Sequence, residues 1–133
     1  MREQAGPSEL EQWLTIARRD WQRIRLHLGD DDALAAGFFL QQSIEKYFKA
    51  FLLSRGWELR KIHALDALLD DAVTLDRRLE RFYPVCERVT DYYMLQRYPP
   101  LALAEPSLER VRRDMAEAES LVLALFPLEE VGS

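Results

Sequence analysis

Residues 32–56 read DALAAGFFLQQSIEKYFKAFLLSRG, and this stretch decides the fold. The run predicts a helix from about Asp32 to Arg55. Asp32 suits the positive N-terminal end of a helix, and Gly56 suits a left-handed cap at its close. At 100° per residue Leu34, Phe38, Ile44, Phe48, Phe51 and Leu52 share one broad arc, the stripe a helix turns toward a core. Gln41 and Glu45 fall inside that arc. Polar side chains there ask for partners, because an unpaired buried carboxylate costs several kcal/mol by the order of desolvation penalties.

Upstream, Ser8 and Glu11 form a capping box that starts a first helix, along which Trp13, Ile16, Ala17, Ile24 and Leu28 recur at helical spacing. Gly29 and the acidic run Asp30 to Asp32 close it, and so short a turn makes the two helices antiparallel. Downstream, Trp57 to Ile62 reads as a loop. A shorter third helix over His63 to Val73 follows, with Leu65, Leu68 and Leu69 inward. From Leu75 the residues Leu79, Phe82, Cys86, Val89, Tyr93 and Arg97 follow at steps of 4, 3, 4, 3, 4 and 4, all on one helical face. Pro84 predicts a kink or restart near Tyr83, and Pro99 and Pro100 end the run. Pro106 suits the first turn of a final helix whose stripe is Leu108, Val111, Met115, Ala118, Leu121, Val122 and Leu125, ending near Pro127. No segment shows a period of two, so the predicted architecture is all-α: an up-and-down bundle of four long helices and one short one, forming a single domain over residues 1–133.

Composition narrows the functional classes. The 133 residues are 48% hydrophobic and 31% charged, a globular balance, and a chain of this length buries roughly two thirds of its unfolded surface. Cys86 is the one cysteine, so no internal disulfide forms, and no Cys/His cluster offers a structural zinc site. Met1 to Leu10 lacks the apolar core of a signal peptide and no run is long enough to span a membrane, which points to a cytoplasmic protein without membrane partners. The net charge of −5 argues against blanket binding of phosphates. Charge is nonetheless uneven. Gln41 to His63 carries Lys46, Lys49, Arg55, Arg60 and Lys61 against Glu45 and Glu58, a local +3 that leaves −8 for the rest. An anion is drawn to that region, although a solvated charged face explains the same run.

The polar residues within apolar stripes are Gln41, Glu45 and Arg97. If the second helix packs beside the fourth, Glu45 and Arg97 meet at a groove for a phosphate or a base, with the Tyr93 hydroxyl one turn before Arg97. A buried pair that fixes helix register or a dimer interface accounts for the same residues. Glu45 and Lys49 form an i,i+4 pair worth about 0.3 kcal/mol on a surface. His63 suits either a helix start or a phosphate contact, and His27 sits where a helix C-terminus favours it. Nucleophilic triads, phosphate-cradling glycine loops, HExxH and CxxC are all absent, and the two histidines stand 36 residues apart, so no catalytic residue, metal or cofactor is expected.

Three segments carry a family resemblance: Phe39 to Trp57 (FLQQSIEKYFKAFLLSRGW), Lys61 to Leu65 (KIHAL) and Thr90 to Pro99 (TDYYMLQRYP). In order and spacing they resemble the HEPN domain, with its QQ…EK…K helix, the histidine that opens the next helix and the closing Tyr…Arg-Tyr-Pro element. The resemblance implies a four- to five-helix bundle that pairs as a homodimer, its second and fourth helices lining a cleft. It also implies one of two activities: metal-independent RNA cleavage, or binding of nucleotides or RNA beside a small nucleotidyltransferase, as in toxin–antitoxin-like pairs. Gln41, Gln42, Glu45, Lys46, Lys49, His63, Tyr93, Arg97 and Tyr98 match the family's polar and aromatic positions as ligand-binding residues. Family nucleases place a histidine four to six residues beyond the arginine. Here no histidine follows His63, so the usual general acid/base is missing, and the implied activity is non-catalytic binding. The alternatives are an atypical ribonuclease using Arg97 with Tyr93 or Glu45, and a structural dimer.

Overall fold

Helix α2 (Ala33–Ser54) is surrounded on most of its circumference, and the rest of the fold follows from that. α1 (Glu9–Gly29), α3 (Leu65–Leu75), α4 (Tyr83–Arg97) and α5 (Leu108–Leu125) all pack against it. The structure is a computed structural model and describes residues 8–58, 61–97 and 105–132, with the side chains of Gln96 and Arg97 excepted. Among the described residues four long helices of 21, 22, 15 and 18 residues and one short helix of 11 make an all-α bundle, as expected. A helix apolar all round belongs in an interior, and α2 fits there by carrying small residues where neighbours come close. At Gly37 an added Cβ would stand 2.6 Å from Cδ1 of Tyr92 on α4. At Ser43 the hydroxyl donates to the Ala17 carbonyl of α1 at 2.8 Å.

The ends of the helices follow local chemistry. Ser8 Oγ accepts from the Glu11 amide at 3.1 Å, the forward half of the capping box. Between α1 and α2 the chain turns through Asp31 at φ 58°, and Asp32 Oδ1 then accepts from the Ala35 amide at 3.0 Å to start α2. Gly56 takes φ 84° after α2, the left-handed conformation that glycine adopts without strain.

Two expectations are adjusted and one is met. α3 runs Leu65–Leu75, so His63 lies in the preceding loop instead of opening the helix. The restart expected near Tyr83 is observed: α4 begins at Tyr83 with Pro84 in its first turn, where a missing N–H costs nothing, and ahead of it the Asp76 side chain caps a 3-10 helix over Arg77–Phe82. α5 is capped by Ser107, whose Oγ accepts from the Arg110 amide at 3.0 Å, which leaves Pro106 just outside the helix.

The core draws Trp21 and Ile24 from α1, Leu40, Ile44 and Phe48 from α2, and Leu121 and Val122 from α5. On α4 the apolar face ends on Tyr92, fully buried, and Tyr93 is half-buried beside it. Tyr92 wins the inward position because it lies on Gly37 and its hydroxyl donates to buried Asp114 Oδ2 at 2.7 Å. Among the described residues no helix is long and apolar enough to cross a membrane.

Candidate functional site

Gln41, Gln42, Glu45, Lys46 and Lys49 recur at i, i+1, i+4, i+5 and i+8, which sets them on one side of α2. Glu45 is their hub. Its side chain is only 2% exposed, and Oε2 accepts from Lys49 Nζ at 3.0 Å and from Lys46 Nζ at 3.4 Å. His63 Nδ1, from the loop before α3, lies 3.2 Å from the same oxygen. Gln41 Nε2 donates to Glu45 Oε1 at 3.4 Å and to the His63 carbonyl at 3.2 Å, so Gln41 pins both the carboxylate and the loop. Gln42 Nε2 donates to Gln41 Oε1 at 2.6 Å, and Lys46 Nζ donates to Gln42 Oε1 at 3.3 Å.

Burial by itself drives the Glu45 carboxyl upward. The charges of Lys46 and Lys49, with the hydrogen bonds from Lys49 and His63, outweigh that and hold it below the ordinary carboxylate range. Lys49 is thereby part of the interior, its side chain 7% exposed and its ammonium 5.5 Å from the ring centroid of Trp13. The valuation of Glu45 and Lys49 as a weak surface pair is therefore corrected: the pair is buried, because α1 covers that side of α2. Asp20 of α1, also buried, behaves oppositely. Burial raises its carboxyl, against the hydrogen bond from Arg23 and the charge of Lys46.

A line of rings leads away from the cluster. The rings of His63 and Tyr93 are 6.4 Å apart and nearly parallel, and Tyr93 in turn stacks with Phe38 at 6.2 Å. Phe38 meets Phe39 edge-on at 5.4 Å, and Phe39 stacks on His27 at 5.3 Å under the guanidinium of Arg23. Seven of the nine residues singled out from the sequence thus meet in one network: Gln41, Gln42, Glu45, Lys46, Lys49, His63 and Tyr93. Arg97 closes α4, with its side chain outside the described residues, and Tyr98 lies outside them altogether. The expected meeting of Glu45 with Arg97 also lies outside them.

Chemically the cluster can do two things. Two ammonium groups converge on one carboxylate, and the cluster opens outward at Lys46 and His63, whose side chains are 16% and 60% exposed. An anion finds its partners there. With Nδ1 on Glu45, the His63 ring also presents Nε2 as a group that can donate to or accept from a bound oxygen. Trp13, Asp20 and Arg23 of α1 also belong to this neighbourhood. The sequence shows Trp13 only as part of the apolar stripe and gives no sign for Asp20 and Arg23, because their place depends on how α1 crosses α2. Cys86 is 1% exposed, and burial pushes its thiol up to about 12, which makes it a packing residue. Among the described residues no group of His, Cys, Asp or Glu side chains is arranged to hold a metal ion.

The sequence profile described as the HEPN domain matches residues 10–125. The fold is similar to that in the crystal structure of TT1696 from Thermus thermophilus, with a TM-score of 0.75 and 25% sequence identity over 90% of this chain and 96% of that one. No curated protein matches the chain.

Proposed function

Because the chain belongs to the HEPN domain family, we propose that it is a non-catalytic module that binds a nucleotide or an RNA phosphate. In this reading it pairs as a homodimer and acts with a small nucleotidyltransferase in a toxin–antitoxin-like system. The observation that carries the reading is the network around Glu45. A buried carboxylate anchors Lys46 and His63 in fixed positions at the surface, and donors held in place lose less freedom when an anion arrives. Arg97 closes α4, the helix that carries Tyr93, and supplies further positive charge in the same reading. The sequence has no histidine after His63, which is why binding is placed ahead of cleavage.

Fluorescence anisotropy with a labelled RNA, repeated at several salt concentrations, tests this. The wild-type affinity should fall steeply with salt. Lys46→Ala and Arg97→Ala should each weaken binding across RNA sequences and flatten the salt slope by about 1. Wild-type affinity that ignores salt, or variants that bind as well as wild type, would discard the reading. A nucleotidyltransferase gene next to this one supports the partner assignment.

One contact favours a second reading, an atypical ribonuclease. Glu45 orients His63 through Nδ1, the arrangement by which a carboxylate sets an imidazole for proton transfer. RNA cleavage by wild type that disappears in His63→Ala would establish it.

A further inference from the structure

Although α2 is enclosed on most of its circumference, one strip of it is not. Between Ala33 and Leu52 the residues that escape burial are Leu34, Ala35, Phe38, Phe39, Gln42 and Lys46. Positions 34, 38, 42 and 46 advance in steps of four, so they form a continuous strip about 18 Å long. Its first half is apolar and aromatic, its second half polar. Half-buried phenylalanines on a helix that is otherwise interior leave apolar area in water, a cost that a bound partner removes. On the α4 side the half-buried Tyr93 ring stacks with Phe38 at 6.2 Å, and His63 continues the line at 6.4 Å, which joins the strip to the Glu45 network.

On the α1 side runs a row of basic residues. Arg19, Arg23 and His27 recur at steps of four, with both arginines exposed. The Arg23 guanidinium stands 5.4 Å from the centroid of the Phe39 ring, and His27 stacks on the same ring at 5.3 Å. Buried Asp20 in this flank accepts from Arg23 at 2.9 Å and also lies in the fields of Lys46 and Arg19. Three cations therefore face one carboxylate, and the flank keeps a surplus of positive charge. The acidic turn Asp30 to Asp32 beyond His27 repels phosphate and ends the row.

We propose that the open strip of α2 and the basic row of α1 form a track for unpaired RNA, with bases stacked on Phe38, Phe39 and Tyr93 and phosphates following Arg19 and Arg23. This rests on the anion-binding reading above and narrows its ligand to a run of several unpaired nucleotides. Rings beside a row of cations suit that ligand because every base has a face to stack and every linkage a charge to hold. A duplex offers the same phosphates but keeps its base faces inside, and a lone nucleotide fills only part of the strip.

Fluorescence anisotropy on the full chain, with a labelled single strand of about eight nucleotides and with the duplex of the same sequence, tests the track. The single strand should bind about tenfold or more tightly than the duplex. Phe39→Leu keeps apolar bulk but removes the ring, and it should weaken single-strand binding about tenfold with the salt slope unchanged, whereas Phe39→Tyr should bind as wild type does. Arg19→Gln should instead flatten the salt slope by about 1. Sedimentation should give Phe39→Leu the oligomeric state of the wild type. Full affinity in Phe39→Leu, equal binding of the duplex, or a changed oligomeric state that shows a second copy seated on the strip would each overturn the track. Salt-dependent binding by the wild type in those cases leaves the Glu45 site standing, while a wild type that binds neither RNA removes both.

Discussion

Glu45 is what permits Lys49 to be buried. Glu45→Gln keeps the shape of the side chain and its tie to Gln41, but it leaves the Lys49 ammonium 7% exposed with no carboxylate beside it. Removing one partner of a buried pair costs about 3 kcal/mol, most of it the penalty of stranding the other charge. Urea unfolding should show a midpoint lowered accordingly with an unchanged slope, and a loss under about 0.5 kcal/mol would mean that Lys49 reaches water in solution. Both Gln41 and Glu45 were legible from sequence as polar residues within an apolar arc. Lys49 was not, since a helical wheel ranks positions around one axis and cannot say how many neighbours close over it. His63 was recognisable as a candidate, yet its bond to Glu45 spans 18 residues of chain and a loop, which periodicity does not reach.

Between elements, the tightest polar tie joins α4 to α5. Asp114 is fully buried and accepts from Arg88 Nε at 2.9 Å and from the Tyr92 hydroxyl at 2.7 Å, while Arg88 also pairs with Glu117 at the edge. The guanidinium of Arg110 lies 4.9 Å from the ring centroid of Tyr92, which closes the group. Asp114→Ala leaves Arg88 and the phenol facing an apolar gap, and it should destabilise the protein by about 3–5 kcal/mol in chemical denaturation. Arg110→Ala, which removes a partly exposed group, should cost under about 1 kcal/mol. Equal losses in the two variants would show that Asp114 is not the centre of the tie. Helix existence was legible at this scale because each of these helices has its own stripe and stop signal. The join was less so: Val111, Asp114 and Ala118 share a face, and an acid on that face was the available sign. Pro84 marked the restart at Tyr83 within the run from Leu75 to Arg97, but the 3-10 character of Arg77–Phe82 was not legible, since a 3-10 turn keeps apolar residues on the inner side nearly as well as an α-turn does.

At the scale of the whole molecule the shifted groups bound a window of pH. Glu45 and Glu129 are held below their ordinary range in the fold, so in acid the unfolded chain takes up protons before the folded one does. Their contribution is therefore present above about pH 4.5 and is lost as pH falls through the folded values. Asp20 has the opposite sign: burial raises it, and acidification relieves a charge that the fold disfavours. Three depressed carboxyls, Glu45, Glu129 and the exposed Asp76 that Arg78 bonds, against one raised one make the acid limb a net loss. On the alkaline side, burial and the carboxylate each phenol bonds push Tyr47 and Tyr92 above the usual phenol range. The unfolded chain then gives up those protons first, near pH 10, and stability falls as pH rises further. Thermal melts should accordingly show a plateau between about pH 6 and 9 with declines on both sides, and Glu129→Gln should make the acid decline shallower while leaving part of the alkaline one, because Tyr92 keeps Asp114. A melting temperature unchanged from about pH 7 to about pH 2, well below the ordinary carboxylate range, would contradict the buried, charged state of Glu45, and the anion-binding reading would lose its anchor with it.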